Sequence, residues 1–133
     1  IQMFKSAGLA AKDDFVVFNG PDEQFVAGRA IGADGGIGGT YAVMPELYLK
    51  IEELTKAGKI AEAQKIQYAA DAIIYAMCEC HGNLYAVMKE ILRMREGLDI
   101  GGVRKPLPNL VPEDMEQVKK CAAMIDAAVK AYC

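Results

Sequence analysis

The sequence predicts an α/β fold in which helices outnumber strands. An apolar run, Phe15–Phe18, ends at a sharp Asn19–Pro21 break, which is typical of a short buried strand. One amphipathic segment then leads to a glycine-rich run at Gly35–Gly39, and four apolar patterns of helical spacing fill the remaining chain. We therefore expect strands near residues 15–19 and 35–38, joined by a helix in one right-handed parallel crossover unit.

Composition limits the class of protein. The chain of 133 residues is long enough for one domain with a real core, and its net charge of −3 and pI near 5.2 argue against nucleic acid or an anionic membrane surface as a partner. No apolar run approaches the length of a membrane span, and no signal-peptide pattern opens the chain. Its four cysteines form no dense framework, so a reduced, cytoplasmic protein is expected.

The segment that precedes the first strand, Ile1–Leu9, is predicted to be the end of a helix. A chain that begins inside a helix and lacks an initiator Met indicates truncation. The crossover helix begins with two acids, Asp22 and Glu23, where the helix dipole favours negative charge, and it ends near Gly32.

Each of the four later helices is predicted from apolar residues at helical spacing. They are expected at Met44–Gly58, Ile60–Cys80, Leu84–Leu92 and Pro112–Tyr132. The stretch Gly97–Pro112 carries glycines and prolines and is expected to be an irregular arm.

Ligand-binding groups in parallel crossover units lie in the loops after the strands, here Gly20–Glu23 and Gly38–Tyr41. Asp22 and Glu23 have two interpretations. They are either a functional pair of carboxylates or a pair that neutralises a helix N-terminus, and the residues alone favour the second.

Three other motifs give weaker signals. The glycine run lacks the strand and acid context of a dinucleotide fingerprint, so no cofactor is expected. Cys78 and Cys80 point about 200° apart on a helix, so together with His81 they favour buried thiols and a helix-end histidine over a metal site. Arg104 and Lys105 are interpreted as structural rather than as an anion site.

Several motifs carry a resemblance to a known family. They are Asn19-Gly20-x-Asp22-Glu23, Gly32–Tyr41, Gly58–Ala63, Met88–Leu92 and Arg104–Leu107. Together they resemble the pyruvate-dependent class I aldolases that include N-acetylneuraminate lyase and dihydrodipicolinate synthase, over the second half of that family's chain. The resemblance implies the C-terminal portion of a TIM (β/α)8 barrel. Residues 1–57 are then its last two strands with their helices, and residues 58–133 are a helical C-terminal extension.

The resemblance also implies a substrate site. By position, Gly20, Asp22 and Glu23 line the sugar pocket and bind hydroxyls of a polyol tail, and Gly39 and Thr40 of the second loop join them. Tyr41 is a further candidate for the same pocket. Two positions depart from the lyase pattern, because Gly39 stands where that pattern has Ser and Ala42 where it has Asn. The lost Ser hydroxyl weakens the case for sialic acid itself as the substrate.

The family's chemistry is a Schiff-base aldol reaction on a strand-end lysine, assisted by a tyrosine from another strand. None of the eleven lysines of this chain ends an apolar strand. We therefore expect no catalytic residue here and an inactive chain, while the resemblance implies that the intact protein is an N-acetylneuraminate lyase-type carbon–carbon lyase.

Two alternatives stay open. One is a dihydrodipicolinate synthase-like or other sugar-acid aldolase, and the other is a non-catalytic helical assembly module. The expected partners are a small keto-acid or sugar-acid substrate, the missing N-terminal half of the barrel, and further copies of the chain, with a tetramer for the intact form. Unpaired strand edges and uncovered helix faces favour such association.

Overall fold

Two short parallel strands and six helices form the part of the chain that the computed structural model describes, residues 1–6 and 15–133. In chain order they are α1 (Gln2–Ser6), β1 (Phe18–Asn19), α2 (Phe25–Ala30), β2 (Gly35–Gly36), α3 (Pro45–Lys56), α4 (Ile60–Cys78), α5 (Leu84–Glu96) and α6 (Met115–Tyr132). Short 3-10 helices cover Asp22–Gln24, Thr40–Ala42 and Pro112–Asp114. The predicted helix-rich α/β class is confirmed.

The two strands pair in parallel, with Phe18 opposite Gly35 and Asn19 opposite Gly36. Two flanking hydrogen bonds extend the pairing: Asp34 N–H donates to the carbonyl of Val17 at 2.8 Å, and Ile37 N–H donates to that of Asn19 at 3.0 Å. Helix α2 makes the crossover, as predicted. The strands are shorter than the predicted ranges 15–19 and 35–38, since the regular ladder spans only two residues on each side.

The prediction that the first apolar run is buried on both faces is wrong for this chain. Phe15, Val16 and Phe18 are 46%, 55% and 51% exposed. Among the described residues, β1 pairs only with β2 and packs against α2, and Phe4 of α1 stacks on Phe15, so the run is only partly covered. Asn19, by contrast, is buried beneath α2.

The core lies among the later helices. Helix α4 packs against both α3 and α6, and α5 packs against α6. The side chains at the centre of this layer are almost fully buried: Leu47, Ile51, Ile73, Met77 and Ile125. Helices α3 and α4 share this core across Gly58, so the boundary proposed between residues 57 and 58 separates sequence segments that pack together. That division into two parts stays a prediction.

Boundaries of the later helices differ from the predictions by a few residues. Helix α4 ends at Cys78 rather than Cys80, and α5 continues to Glu96, where Gly97 adopts a left-handed conformation. The arm that follows is irregular, as predicted. Of the predicted first helix, α1 accounts for Gln2–Ser6, and Leu9 lies outside the described residues.

One buried carboxylate fixes the turn between α4 and α5 onto the start of α6. Asp114 accepts hydrogen bonds from the backbone N–H groups of His81, Gly82 and Val111 and from Nδ1 of His81, at 2.8–3.1 Å. Burial alone raises the pKa of Asp114, but these hydrogen bonds outweigh burial and hold the pKa well below its usual range.

The helices within residues 1–6 and 15–133 are each too short or too polar to span a membrane.

Candidate functional site

The five residues predicted to bind substrate all line one cavity. It has a volume of about 250 Å³, and Gly20, Asp22, Glu23, Gly39 and Thr40 form part of its wall. The first three follow β1 and the last two follow β2. Because the carboxyl ends of paired parallel strands meet at one edge, two loops that are separate in sequence come together there.

The carboxylate of Asp22 joins the two loops. Its Oδ2 atom accepts hydrogen bonds from the Thr40 backbone N–H at 2.8 Å and from Thr40 Oγ1 at 2.5 Å. Thr40 Oγ1 also lies 3.1 Å from the hydroxyl of Tyr48. An ionised carboxylate only accepts, so Thr40 donates to Asp22 and Tyr48 donates to Thr40. Asp22 is therefore a buried structural link as well as part of the cavity wall.

This link requires a glycine in the second loop. A Cβ atom built on Gly38 would collide with the carboxyl group of Asp22 and would lie 2.5 Å from Cε1 of Tyr41. Only a residue without a side chain allows the backbone to approach the carboxylate so closely. Glu23 follows Asp22 in the same 3-10 helix and is half-buried on the cavity wall. The hydrogen bonds that join the two loops are made by Asp22 and not by Glu23.

Helices α4 and α5 supply a second wall that the sequence did not predict. It consists of Ile74 from α4 and Leu84, Tyr85 and Met88 from α5. Asn83 fixes the start of α5, since its side-chain oxygen accepts a hydrogen bond from the Tyr85 backbone N–H at 3.0 Å. Leu84 and Met88 belong to the apolar pattern that predicts the helix at Leu84–Leu92, and such a pattern indicates core positions rather than a cavity wall. The one sequence signal for Tyr85 is a tyrosine outside that pattern, two residues after the Asn83 cap.

Gly39 and Tyr85 fit each other across the cavity. A Cβ atom on Gly39 would lie 3.1 Å from Cε1 of Tyr85 and 3.7 Å from Cε of Met88. The first distance is tighter than ordinary van der Waals contact, so a side chain at residue 39 requires the ring to shift. The glycine that departs from the lyase pattern is thus matched to an aromatic ring on the opposite wall.

The side chains of the cavity wall that can carry charge are acidic. Its two ionisable carboxylates are Asp22 and Glu23, and no lysine, arginine or histidine is among the described residues that line it. Carboxylates accept hydrogen bonds from hydroxyl groups and repel anions, so the wall suits a neutral polyhydroxylated group rather than the carboxylate end of a keto acid.

Tyr41 does not line this cavity. Its ring packs against Phe25 and Tyr48, with centroid distances of 5.8 and 4.0 Å. Its hydroxyl is buried and has no hydrogen-bond partner in the described part of the chain. Burial, reinforced by the negative charges of Asp22 and Glu52, raises the pKa of Tyr41 to about 12. The structure therefore places Tyr41 behind the second loop rather than in the cavity.

The cysteine and histidine positions show no metal-binding arrangement. Across residues 1–6 and 15–133, no group of three or more His, Cys, Asp or Glu side chains is placed to hold an ion. Cys78 is exposed, so its predicted burial is wrong, whereas Cys80 is half-buried. His81 follows the end of α4, and its Nδ1 atom is bound to Asp114.

Comparison with known proteins identifies the family. Residues 3–125 match the model of the dihydrodipicolinate synthetase family. The chain belongs to this family. An N-acetylneuraminate lyase from Mediterraneibacter gnavus is 61% identical over 132 residues, an alignment that covers 99% of this chain and 41% of that relative. The resemblance read from the sequence motifs is therefore confirmed.

Solved structures give the same picture. The sialic acid aldolase of Ruminococcus gnavus superposes with a TM-score of 0.94 at 60% identity, covering 100% of this chain and 43% of that one. The N-acetylneuraminate lyase of Fusobacterium nucleatum, solved in complex with pyruvate, gives a TM-score of 0.80 at 32% identity and covers 93% and 40% of the two chains. This family member thus spans about two fifths of the length of the relatives that it matches.

Proposed function

We propose that this chain is the C-terminal part of an N-acetylneuraminate lyase-type aldolase and forms the sugar-binding side of its active site. The observation that carries the proposal is the convergence of Gly20, Asp22, Glu23, Gly39 and Thr40 on one cavity. The names and the similarity of the relatives support the same activity.

The intact enzyme cleaves a sugar keto acid to pyruvate and an aldehyde through a Schiff base. In that reaction a neutral lysine amine attacks the keto carbon, water leaves, and the resulting cation accepts electrons from the breaking carbon–carbon bond. The lysine lies outside this chain. In support, no lysine of the described residues lines the cavity, and the wall carries acids that suit the hydroxyl groups of the sugar.

In this proposal β1 and β2 are the last two strands of a TIM barrel, and the helices after Gly58 are its C-terminal extension. The exposed side of Phe15, Val16 and Phe18 then faces the remaining barrel strands. Apolar surface of this kind recruits a partner, which here is the N-terminal half of the same barrel. The intact protein is a cytoplasmic homo-oligomer, a tetramer in its complete form, and needs no cofactor.

The test joins this chain to an N-terminal half from the lyase family, in one reading frame or as a second polypeptide, and measures pyruvate released from N-acetylneuraminate. Release supports the lyase. A joined protein that forms a pyruvate adduct but does not cleave this sugar acid would instead favour a synthase or another sugar-acid aldolase.

Glu23→Gln in the joined enzyme sharpens the test. Glu23 is preferred to Asp22 here because Asp22 also holds the two loops together. A carboxylate that accepts hydrogen bonds from sugar hydroxyls contributes about 1.5–3 kcal/mol, so KM for the sugar acid should rise about tenfold or more while the pyruvate adduct still forms. An unchanged KM would remove Glu23 from the sugar site.

A further inference from the structure

Gln67 of helix α4 connects the helical part of the molecule to the loop that carries Asp22 and Glu23. Its side chain is only 4% exposed. The Nε2 group donates to the backbone carbonyl of Asp22 at 3.0 Å, and the Oε1 atom accepts from the backbone N–H of Val26 at 3.1 Å. One amide therefore satisfies two backbone groups on either side of Glu23.

Only one of these two backbone groups lacks a local partner, because the Asp22 carbonyl also accepts a hydrogen bond from the Phe25 backbone N–H. Helix α2 begins after Gln24, which makes no side-chain cap, so the Val26 N–H in its first turn has no acceptor from its own segment. Gln67 provides that acceptor from another helix. It also provides a donor, and only an amide side chain of this length offers both groups at once.

A third hydrogen bond fixes the orientation of the amide. Nε2 of Gln67 also donates to Oδ1 of Asp71, one turn later on α4, at 2.8 Å. Burial raises the pKa of Asp71; the hydrogen bond from Gln67 opposes this rise, and the negative charge of Glu23 adds to it. Glu23 therefore lies within electrostatic range of Asp71, and the amide at residue 67 binds Asp71 without adding charge.

We infer that Gln67 is a positioning residue for substrate binding, which holds the Asp22–Glu23 segment at the cavity through its hydrogen bonds to Asp22 and Val26. The inference rests on the proposed function, since the segment binds the sugar end of the substrate only in that case. Gln67 itself does not line the cavity. Its loss should therefore weaken binding of the sugar portion and leave the pyruvate end unaffected.

The experiment compares three variants in the joined enzyme. Gln67→Leu removes the two hydrogen bonds to the loop and the one to Asp71. Gln67→Glu keeps the size and the acceptor for Val26 but loses the donor and adds a charge next to Asp71. Gln64→Leu, an exposed change on the same helix, is the matched control. Losing one or two buried hydrogen bonds should raise KM for N-acetylneuraminate about tenfold in both Gln67 variants, with pyruvate adduct formation and the control unchanged.

A parallel measurement uses the 133-residue chain itself. Hydrogen exchange at the amides of Val26 and Thr40 reports directly on the two contacts that order the loop. Exchange at both should be faster in Gln67→Leu than in Gln64→Leu, while the amides within α6 stay protected in both.

The outcomes separate the two proposals. If the unmodified joined enzyme fails to cleave the sugar acid, the proposed function is wrong, and exchange at Val26 and Thr40 alone decides whether Gln67 orders the loop. If that enzyme is active and the Gln67 variants have a normal KM, the inference is overturned. Equal losses for the sugar acid and for the pyruvate adduct would also overturn it, because they would indicate a general structural defect.

Discussion

The helical layer and the strand region of this chain are stabilised in different ways. In the layer formed by α3–α6, apolar side chains such as Ile73 and Ile125 are almost completely buried against one another. In the strand region, Phe15, Val16 and Phe18 remain about half exposed, and the order of the loops rests on polar contacts of Asp22, Thr40 and Gln67. The helical layer has an apolar core of its own, whereas the strand region depends on contacts with that layer and leaves its first apolar run partly uncovered.

This difference explains how the two short strands and their loops can form a cavity wall. The loops after β1 and β2 are fixed from behind, by Gln67 of α4 and Tyr48 of α3, rather than by neighbouring strands. The sugar-binding side of the proposed site is therefore ordered by helices that lie within this chain.

The largest contrast is expected in stability. Ile73→Ala should lower the free energy of unfolding by about 3 kcal/mol, because it deletes a buried side chain and leaves a cavity. Phe18→Ala, in the exposed run, should cost only about 0.5 kcal/mol. Urea denaturation of the two variants measures both values. Equal losses would mean that the strand region is packed as tightly as the helical layer.

A smaller effect is expected at the polar link between the loops. Thr40→Val keeps the shape of the side chain but removes the hydroxyl that donates to Asp22 and accepts from Tyr48, so it should cost about 1.5 kcal/mol. Thr55→Val is the control: that hydroxyl donates only to the Ile51 carbonyl within α3, and its loss should cost about 0.5 kcal/mol or less. Equal losses of stability in the two variants would mean that the Thr40 hydroxyl contributes no more than the Thr55 hydroxyl.

The smallest effect, visible only in acid, concerns the helical layer. Asp114 has a lowered pKa in the folded chain, so its stabilising contribution is complete above the unfolded value of about 3.9 and is lost as the pH falls below it. Thermal unfolding between pH 7 and pH 3 should show a drop in Tm below about pH 4 that is reduced in Asp114→Asn. Asp126→Asn, at an exposed partner of Arg95, is the control. A variant that retains the full acid-induced drop would contradict this role of Asp114.

Much of the fold follows from local patterns in the sequence. Apolar residues at helical spacing predicted all four later helices, because each buries one face against its neighbours. The rule that binding loops follow parallel strands placed Gly20 and Thr40 at one site. The predicted burial of Phe15–Phe18 was wrong, since an apolar run becomes a buried strand only where neighbouring elements cover both of its faces.

The other wall of the cavity was beyond sequence reasoning for a related reason. Tyr85 reaches the site only because the fold brings the start of α5 close to Gly39 of the second loop, and no local pattern encodes that placement. The role of Gln67 could not be predicted from the sequence either, because a glutamine on a helix is most often exposed to solvent. Its two hydrogen bonds to a distant loop emerge only in the folded chain.

The central claim is that this chain supplies the sugar side of the active site and not the nucleophile. The most direct measurement is borohydride trapping with pyruvate, read by intact mass. The 133-residue chain alone should show no added mass, and the joined enzyme should gain one pyruvate-derived adduct at a lysine outside this chain. An adduct on the isolated chain, mapped to a single lysine, would contradict the claim.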